Sequence, residues 1–200
     1  METLVRYLSH PQVIIDPEKE VPRWSLSKEG LARVLSLNDS GALRGTTRVI
    51  SSGETKAIET ARPLAAGLNG TLEIRELMHE NDRSATGFLP PDEFEACANQ
   101  FFSNPSMSVR GWEPARDAQQ RILAEIDACL EQPTTGDILI VGHGGVGTLL
   151  YCALAGLPID RKYDQGPNGG GNWYAFTAEQ KKPLSGWAPM ETLYTRGDGR

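Results

Sequence analysis

Two of the three histidines in this chain stand at the ends of predicted strands, where an imidazole can do chemistry. His10 follows the apolar run at residues 4–8, and His143 follows the apolar run at residues 137–141. The turn Gly142-His143-Gly144-Gly145 leaves backbone amides open to an anion, and the helix predicted after it adds its positive end. A strand-end histidine that occurs alone is more often a structural hydrogen-bonding group. Two of them beside a glycine-rich turn indicate a site for an anionic ligand.

The two histidines can act together only if the strands before them end at the same edge of one sheet. Hydrophobic periodicity predicts strands at residues 4–8, 48–51, 71–75, 137–141 and 172–177. Helices are predicted after Ser27, a candidate N-cap, and at residues 54–68, 92–102, 113–130 and 146–154. The alternation predicts an α/β fold with helices on both faces of the sheet. Ligands of such sheets bind beyond the carboxyl ends of the strands, which is where both histidines fall.

The composition is that of an ordinary soluble globular protein. Of the 200 residues 39% are hydrophobic and 23% are charged, which favours a single domain over residues 1–200. The net charge of −6 makes nucleic acid a poor candidate partner, so any anionic ligand must be drawn by a local positive pocket.

The cellular compartment is predicted from segments that the sequence lacks. No apolar run approaches the ~18 residues needed to cross a bilayer, and the amino terminus has no signal-peptide core. The cysteines Cys97, Cys129 and Cys152 are odd in number and lack metal-type spacing, which is typical of reduced thiols. We therefore expect a cytoplasmic protein with no membrane partner.

Four ordered blocks of the sequence resemble the histidine phosphatase superfamily, whose fold is phosphoglycerate mutase-like. Ser9-His10-Pro11 stands where the family has Arg-His-Gly, and residues 26–30 resemble its Leu-Ser-x-x-Gly helix start. Residues 51–61 are similar to Ser-Ser-x-x-x-Arg-Ala-x-Gln-Thr-Ala, and Met78-His79-Glu80 to Leu-x-Glu. The most specific block is residues 139–146, which match the family's strand, Val-x-His-Gly-Gly and helix.

The resemblance implies a three-layer αβα fold with a mostly parallel central sheet and a helical insertion at about residues 84–132. It also implies a phosphoric monoester hydrolase without cofactor or metal, acting on a small phosphorylated molecule. His10 would attack phosphorus and form a phosphohistidine, His143 would stabilise the phosphoryl oxygens, and Glu80 would act as the acid, with Asp82 as its rival. Mutase activity is less favoured, because no feature indicates a pocket that retains an intermediate. The sequence determines neither the substrate nor the oligomeric state.

Three departures from the family pattern fall in the expected phosphate pocket. Ser9 replaces the first arginine, Pro11 replaces the glycine, and Lys56 replaces the second arginine. An arginine binds two phosphate oxygens through its planar fork, whereas a lysine is a point charge, so the phosphoryl group should be held less tightly. Two arginines elsewhere could substitute as the cation. The predicted substrate-binding residues are therefore Lys56, Ser9, Gly144, Arg83 and Arg6.

Two other functions remain open from the sequence. The lost arginines are consistent with a catalytically degenerate module that binds a phosphorylated ligand or regulates, although His10, His143 and Glu80 are all retained. A metal hydrolase using His10, His79 and His143 would need close-spaced ligand pairs, and the sequence has none.

Overall fold

The computed structural model describes residues 2–166 and 169–195 and shows an α/β fold. Its six-stranded sheet has the order β3-β2-β4-β1-β5-β6. The first four strands are mutually parallel, and the last two are antiparallel to their neighbours. The strands are β1 (Leu4–Ser9), β2 (Thr46–Ser52), β3 (Thr71–Arg75), β4 (Asp137–Gly142), β5 (Asn172–Thr177) and β6 (Ala188–Pro189).

Helices cover both faces of this sheet. They are α1 (Lys28–Ser40), α2 (Thr55–Leu68), α3 (Pro91–Ser103), α4 (Ala115–Leu130), α5 (Gly144–Leu154) and α6 (Thr192–Thr195). Short 3-10 helices lie at Val21–Arg23, Glu76–Met78 and Arg161–Tyr163. The predicted three-layer αβα arrangement with a mostly parallel sheet is confirmed.

The alternation of side chains along β4 shows how the two layers form. Leu139 and Val141 are fully buried in the core that includes residues of α1 and α2. Ile138 and Ile140 point to the opposite face, where they join the core formed with α4 and α5. The continuous apolar run of β4 is therefore explained by burial on both faces of a central strand.

Local sequence signals fix several element ends. Ser27 caps α1 as predicted, because its hydroxyl accepts a hydrogen bond from the Gly30 N–H at 3.0 Å. The same helix ends at Gly41, which adopts the left-handed conformation with φ +71°. The two-residue strand β6 and the four-residue helix α6 were not predicted, since elements this short carry no periodic pattern.

The register of the central strands makes three of them end at one rim. Ser9 pairs with Gly142 in the β1–β4 ladder, and Ser51 pairs with Val141 in the β2–β4 ladder. The residues that follow these strands, among them His10 and His143, are therefore neighbours in space although they are far apart in the chain.

A third core cluster packs α3 and the segment after it on α5. Phe101 and Trp112 are almost fully buried there, together with Val146 and Leu149 of α5. This packing supports the helix that begins directly after His143. No helix within residues 2–166 and 169–195 combines the length and the apolar character needed to span a membrane.

Candidate active site

His10 directly follows β1, and its ring is oriented by the next residue. The Nδ1 atom lies 2.8 Å from the carbonyl oxygen of Pro11. Because a carbonyl oxygen only accepts, Nδ1 carries the proton and Nε2 keeps its lone pair. Burial, with a smaller effect from the Lys56 ammonium, lowers the pKa of His10 to about 4. At pH 7 the ring is therefore neutral and has the form of a nucleophile.

The backbone of His10 is fixed from two sides. Its N–H donates to the Gly142 carbonyl at 2.9 Å, and its own carbonyl accepts from the Gly171 N–H at 2.9 Å. Gly170 has φ +89°, and a Cβ at this position would lie 2.1 Å from the His10 carbonyl oxygen. Only glycine fits so close to His10, so the glycine cluster at residues 169–171 serves to position this residue.

His143 is completely buried, and Tyr7 holds its backbone. The Tyr7 hydroxyl donates to the His143 carbonyl at 3.0 Å and accepts from the His143 N–H at 3.1 Å. The His143 Nε2 lies 2.8 Å from the Ser52 hydroxyl, whereas its buried Nδ1 has no hydrogen-bond partner among the described residues. Burial lowers the pKa of His143 well below its usual value, so this ring is neutral as well.

The two imidazoles face each other at the rim of the sheet. Their ring centroids are 5.3 Å apart, and the ring planes make an angle of 71°. Since β1 and β4 are adjacent parallel strands that end at the same level, the fold itself creates this approach. The Nδ1 of His143, which has no partner among the described residues, and the neutral ring of His10 are therefore close enough to contact the same small ligand.

Glu80 caps the helix that follows His143. Its Oε2 accepts from the Gly145 N–H at 2.9 Å, and its Oε1 accepts from the Val146 N–H at 2.8 Å and the Asn81 N–H at 3.1 Å. A Cβ on Gly145 would lie 2.6 Å from Oε1, so glycine lets the carboxylate reach the helix. Two of the amides expected to face a ligand are therefore taken by Glu80. Gly144 supplies the first N–H of α5, which has no partner within its helix.

Lys56 is buried and already paired, contrary to the free cation that the sequence suggested. Its Nζ donates to the Val21 carbonyl at 2.8 Å and to the carboxylate of Glu54. Glu54 also accepts from the Glu80 N–H at 2.8 Å and lies 3.6 Å from the His143 Nε2. The charge of Lys56 is therefore balanced inside the site.

Glu54 is the main site residue that the sequence reasoning missed. Burial would raise the pKa of its carboxyl, but His143, the Lys56 ammonium and the Glu80 N–H outweigh burial and lower the pKa to about 2. The carboxyl is therefore ionised at neutral pH. One signal was present in the sequence: Glu54 comes just after β2 and just before α2, at the same rim as both histidines.

We expect Glu54→Gln to lower the free energy of unfolding by about 3–5 kcal/mol, because it leaves the Lys56 ammonium buried without its counter-ion. Urea denaturation at pH 7 measures the change. The exposed Glu18→Gln is the matched control and should change the free energy by less than about 0.5 kcal/mol. The double variant Glu54→Leu, Lys56→Met removes both charges and should recover most of the loss. Equal stability of Glu54→Gln and the wild type would contradict the pairing.

The acid side of the stability profile gives a second readout of the same pair. The pKa of Glu54 is lowered from an ordinary 4.5 to about 2 by folding. Its contribution to stability is therefore complete above about pH 4.5 and is lost as the pH falls towards 2. Glu54→Gln should lack this part of the acid-induced loss.

Arg83 is the cation at the site whose donors are unshared. Its guanidinium carbon lies 4.9 Å from the centroid of the Phe94 ring. In the described part of the chain, no side chain or backbone carbonyl forms a hydrogen bond or ion pair with this guanidinium group. Burial lowers the pKa of Arg83, while Glu80 and Glu54 oppose this shift. Its charge in turn contributes to the lowered pKa of both His10 and His143, in each case as a smaller effect than burial.

Ser9 and Arg6, also predicted to bind substrate, have other partners. The buried Ser9 hydroxyl donates to Gln165 Oε1 at 2.5 Å and accepts from the Asn172 N–H at 3.0 Å. Arg6 forms an ion pair of 3.0 Å with Asp137 at the start of β4, the end of the strand away from the histidines. The structure therefore does not bring Arg6 to this site.

Gln165 is a second residue that the sequence reasoning missed, and no sequence signal indicated it. Its Oε1 is held by Ser9, and its Nε2 lies against Gly144, where a Cβ would be only 2.0 Å away. An amide from the loop before β5 thus lies between Ser9 and the start of α5.

The remaining candidates lie on the outer wall of the site. Asp82 is exposed, and hydrogen bonds from Ser84 lower the pKa of its carboxyl. The His79 Nδ1 lies 2.6 Å from the Glu80 carbonyl oxygen. Across residues 2–166 and 169–195 no group of three or more His, Cys, Asp or Glu side chains is arranged to hold a metal ion.

A cleft of about 610 Å³ adjoins this cluster. Glu54, Glu80 and Arg83 are among the residues that line it, and Glu54 lies 3.6 Å from the His143 Nε2, so the cleft lies next to the histidine pair. A volume of this size suits a small organic molecule.

Comparison with known proteins relates this geometry to one family. The model of the histidine phosphatase superfamily, branch 1, matches residues 16–185. The match begins after His10 and therefore does not include the Ser9-His10-Pro11 segment. A search of curated proteins finds no match.

Several solved structures share the fold. A mycobacterial glucosyl-3-phosphoglycerate phosphatase has 18% identity and a TM-score of 0.71, with coverage of 94% of this chain and 97% of that one. The YhfR protein of Bacillus stearothermophilus has 20% identity and a TM-score of 0.73, with coverage of 86% and 90%. A phosphoserine phosphatase of Entamoeba histolytica in complex with 3-phosphoglyceric acid has 14% identity and a TM-score of 0.71, with coverage of 96% and 99%. At these identities the likeness is one of fold.

Proposed function

Because the chain belongs to the histidine phosphatase superfamily, branch 1, we propose that it hydrolyses a small phosphomonoester through a phosphohistidine on His10. The observation that carries this proposal is the His10 ring, whose Nδ1 is held by the Pro11 carbonyl at 2.8 Å. This contact places the proton on Nδ1 and leaves the Nε2 lone pair available for attack. The facing ring of His143, 5.3 Å away, supports the same assignment.

The reaction would proceed in two displacements. In the first, Nε2 of His10 forms a bond to phosphorus, and the ester P–O bond breaks with its electron pair leaving on oxygen. In the second, water attacks the phosphohistidine, and the P–N electron pair returns to His10. Glu80 is proposed to give a proton to the leaving oxygen and to regain one from the water.

Charge on the phosphoryl oxygens would be stabilised by Arg83 and by neutral donors. If the Ser52 hydroxyl donates to Nε2 of His143, the unshared Nδ1 carries a proton and can donate to a phosphoryl oxygen. The Gly144 N–H and the Gln165 amide, which lie together, are two further donors. Lys56 contributes less, because Glu54 offsets its charge. Preorganised donors of this kind are the main source of rate enhancement in many enzymes.

The proposed substrate is a small molecule. For the organisation of the chain, we keep the arrangement that the sequence predicted. We propose a single domain over residues 1–200 with a helical insertion at about residues 84–132. A cytoplasmic location stays a prediction from the cysteines and the composition.

A panel of phosphomonoesters tests the proposed activity. We expect release of inorganic phosphate from an aryl phosphate between about pH 5 and 8, since His10 stays neutral when its pKa is about 4. Added chelator should leave the rate within about twofold of the untreated enzyme. Absence of turnover on the whole panel would contradict the proposal.

One observation favours a non-catalytic binding module instead. The Lys56 charge is offset by Glu54, and the structure does not bring Arg6 to the site, so the pocket holds fewer unshared cations than its family pattern has arginines. A binding module would bind orthovanadate or phosphate without turnover in the same panel.

A further inference from the structure

The cleft beside the histidines has two walls and a base. One is the 3-10 helix Val21–Arg23, the base is the entry to α2 at residues 53–55, and the other is the segment at residues 79–84. If the phosphoryl group lies between the two imidazoles, this cleft of about 610 Å³ is where the organic part of the ester would lie.

Carboxylates outnumber cations on the cleft walls. Arg23 is paired with Glu20 at 3.1 Å, and the guanidinium of Arg83 lies over the Phe94 ring. The charge of Arg23 is therefore offset by Glu20, and Arg83 is the cation proposed to bind the phosphoryl group. The carboxylates that line the cleft are Glu20, Glu54, Glu76, Glu80 and Asp82.

Glu76 is the wall carboxylate without a partner. It is exposed, and the described residues make no hydrogen bond or ion pair with its side chain. Its Oε2 would lie 2.3 Å from a Cβ at Gly53, so the carboxylate sits against the backbone at the entry to α2. Glu54, which follows Gly53 in the chain, is ionised and lies 3.6 Å from the His143 Nε2. Because Lys56 offsets the charge of Glu54, a second anionic group on the substrate would meet the uncompensated negative charge of Glu76.

Asn81 is an independent sign that a polar ligand completes this cleft. The residue is only 8% exposed and lines the cleft, yet its Nδ2 has no hydrogen-bond partner among the described residues. A buried amide donor normally has a partner, and leaving it without one costs about 1–3 kcal/mol. A hydroxyl or ester oxygen of a ligand would satisfy it without adding charge.

We propose that the cleft selects phosphomonoesters whose organic part is neutral or cationic, such as a polyol or amino-alcohol phosphate, over esters that carry a further carboxylate. The physical reason is that Arg83 is engaged by the phosphoryl group. Among the described residues of the cleft, Arg23 is paired with Glu20 and the charge of Glu54 is offset by Lys56, so the unpaired Glu76 is the charge that would repel a second anion. This inference rests on the proposed phosphatase activity.

Two pairs of substrates that differ at one carboxylate test the inference. They are O-phosphoethanolamine against O-phosphoserine, and glycerol 3-phosphate against 3-phosphoglycerate. At low ionic strength, where screening is weak, we expect kcat/KM to be at least about tenfold higher for the member without the carboxylate. Glu76→Gln should reduce this ratio by about three- to tenfold in both pairs. Glu131→Gln, which removes an exposed carboxylate at the end of α4, should leave the ratio as in the wild type.

The outcomes separate the inference from the proposed function. Turnover of an aryl phosphate with equal or better use of the carboxylate-bearing members would overturn the selectivity and leave the phosphatase activity standing. A preference that Glu76→Gln does not change would overturn the assignment to this cleft. No turnover of any ester, aryl phosphate included, would overturn both.

Discussion

Replacing His10 by alanine is expected to lower kcat for an aryl phosphate by at least about 10⁴-fold and to abolish the trapped phosphoenzyme. His10 is the only one of the two facing imidazoles with a ring nitrogen held by a backbone carbonyl, at 2.8 Å from Pro11. The other ring is bonded to Ser52 and fully buried. Without His10 the remaining ring is His143, whose Nε2 is bonded to Ser52 and whose Nδ1 is proposed to carry the proton, so it offers no free lone pair to phosphorus. Single-turnover measurement with labelled substrate and an alkaline denaturing quench detects the phosphohistidine.

The third histidine provides the matched control for this experiment. His79→Gln changes a ring that is bonded to the Glu80 carbonyl and lies outside the facing pair, so a labelled phosphoenzyme should still be trapped. Thermal denaturation should show that the His10→Ala protein is folded. Turnover near the wild-type rate in folded His10→Ala would remove the nucleophile assignment.

Replacing Arg83 by glutamine should lower kcat/KM for the same aryl phosphate by about 10²–10³-fold, the usual cost of removing one preorganised donor. The guanidinium lies over Phe94 with its donors unshared by the described residues, and its charge acts on both imidazoles. Lys56 cannot replace it, since its ammonium is held by Glu54 and the Val21 carbonyl. Steady-state kinetics together with phosphate inhibition measure the loss.

Arg62→Gln is the control for the loss of one positive charge. Arg62 is exposed on α2, so this variant should keep kcat/KM within about twofold. If Arg83→Gln behaves like Arg62→Gln, the phosphoryl oxygens are held by other donors, and the Gly144 N–H and the Gln165 amide become the groups to test.

Most of the fold could be predicted because its signals are local. The apolar run of β4 and the capping serine of α1 are each readable within a few residues, and the structure has both elements. The antiparallel strand β5 was predicted as a strand, but its direction in the sheet depends on pairing with β1 at the other end of the chain. Strand direction is a property of that pairing and leaves no mark in β5 alone.

The partners of the charged residues could not be predicted in the same way. Lys56 has the position of a phosphate-binding arginine in the sequence, yet a carboxylate two residues earlier holds its ammonium. Arg6 lies on the strand that ends at His10, yet its side chain pairs with Asp137 at the far end of β4. Gln165 lies 156 residues after Ser9, yet its amide oxygen accepts a hydrogen bond from the Ser9 hydroxyl.

The sequence by itself determined the order of strands and helices and placed His10 and His143 at strand ends, because periodicity and turn chemistry act between residues close in the chain. The tertiary structure alone decided which charges are shared. A salt bridge or a vacant hydrogen-bond donor depends on distances of a few ångströms between side chains from different elements, such as Glu54 beside His143 and Glu80 on the first turn of α5. Those distances exist only after the elements have packed.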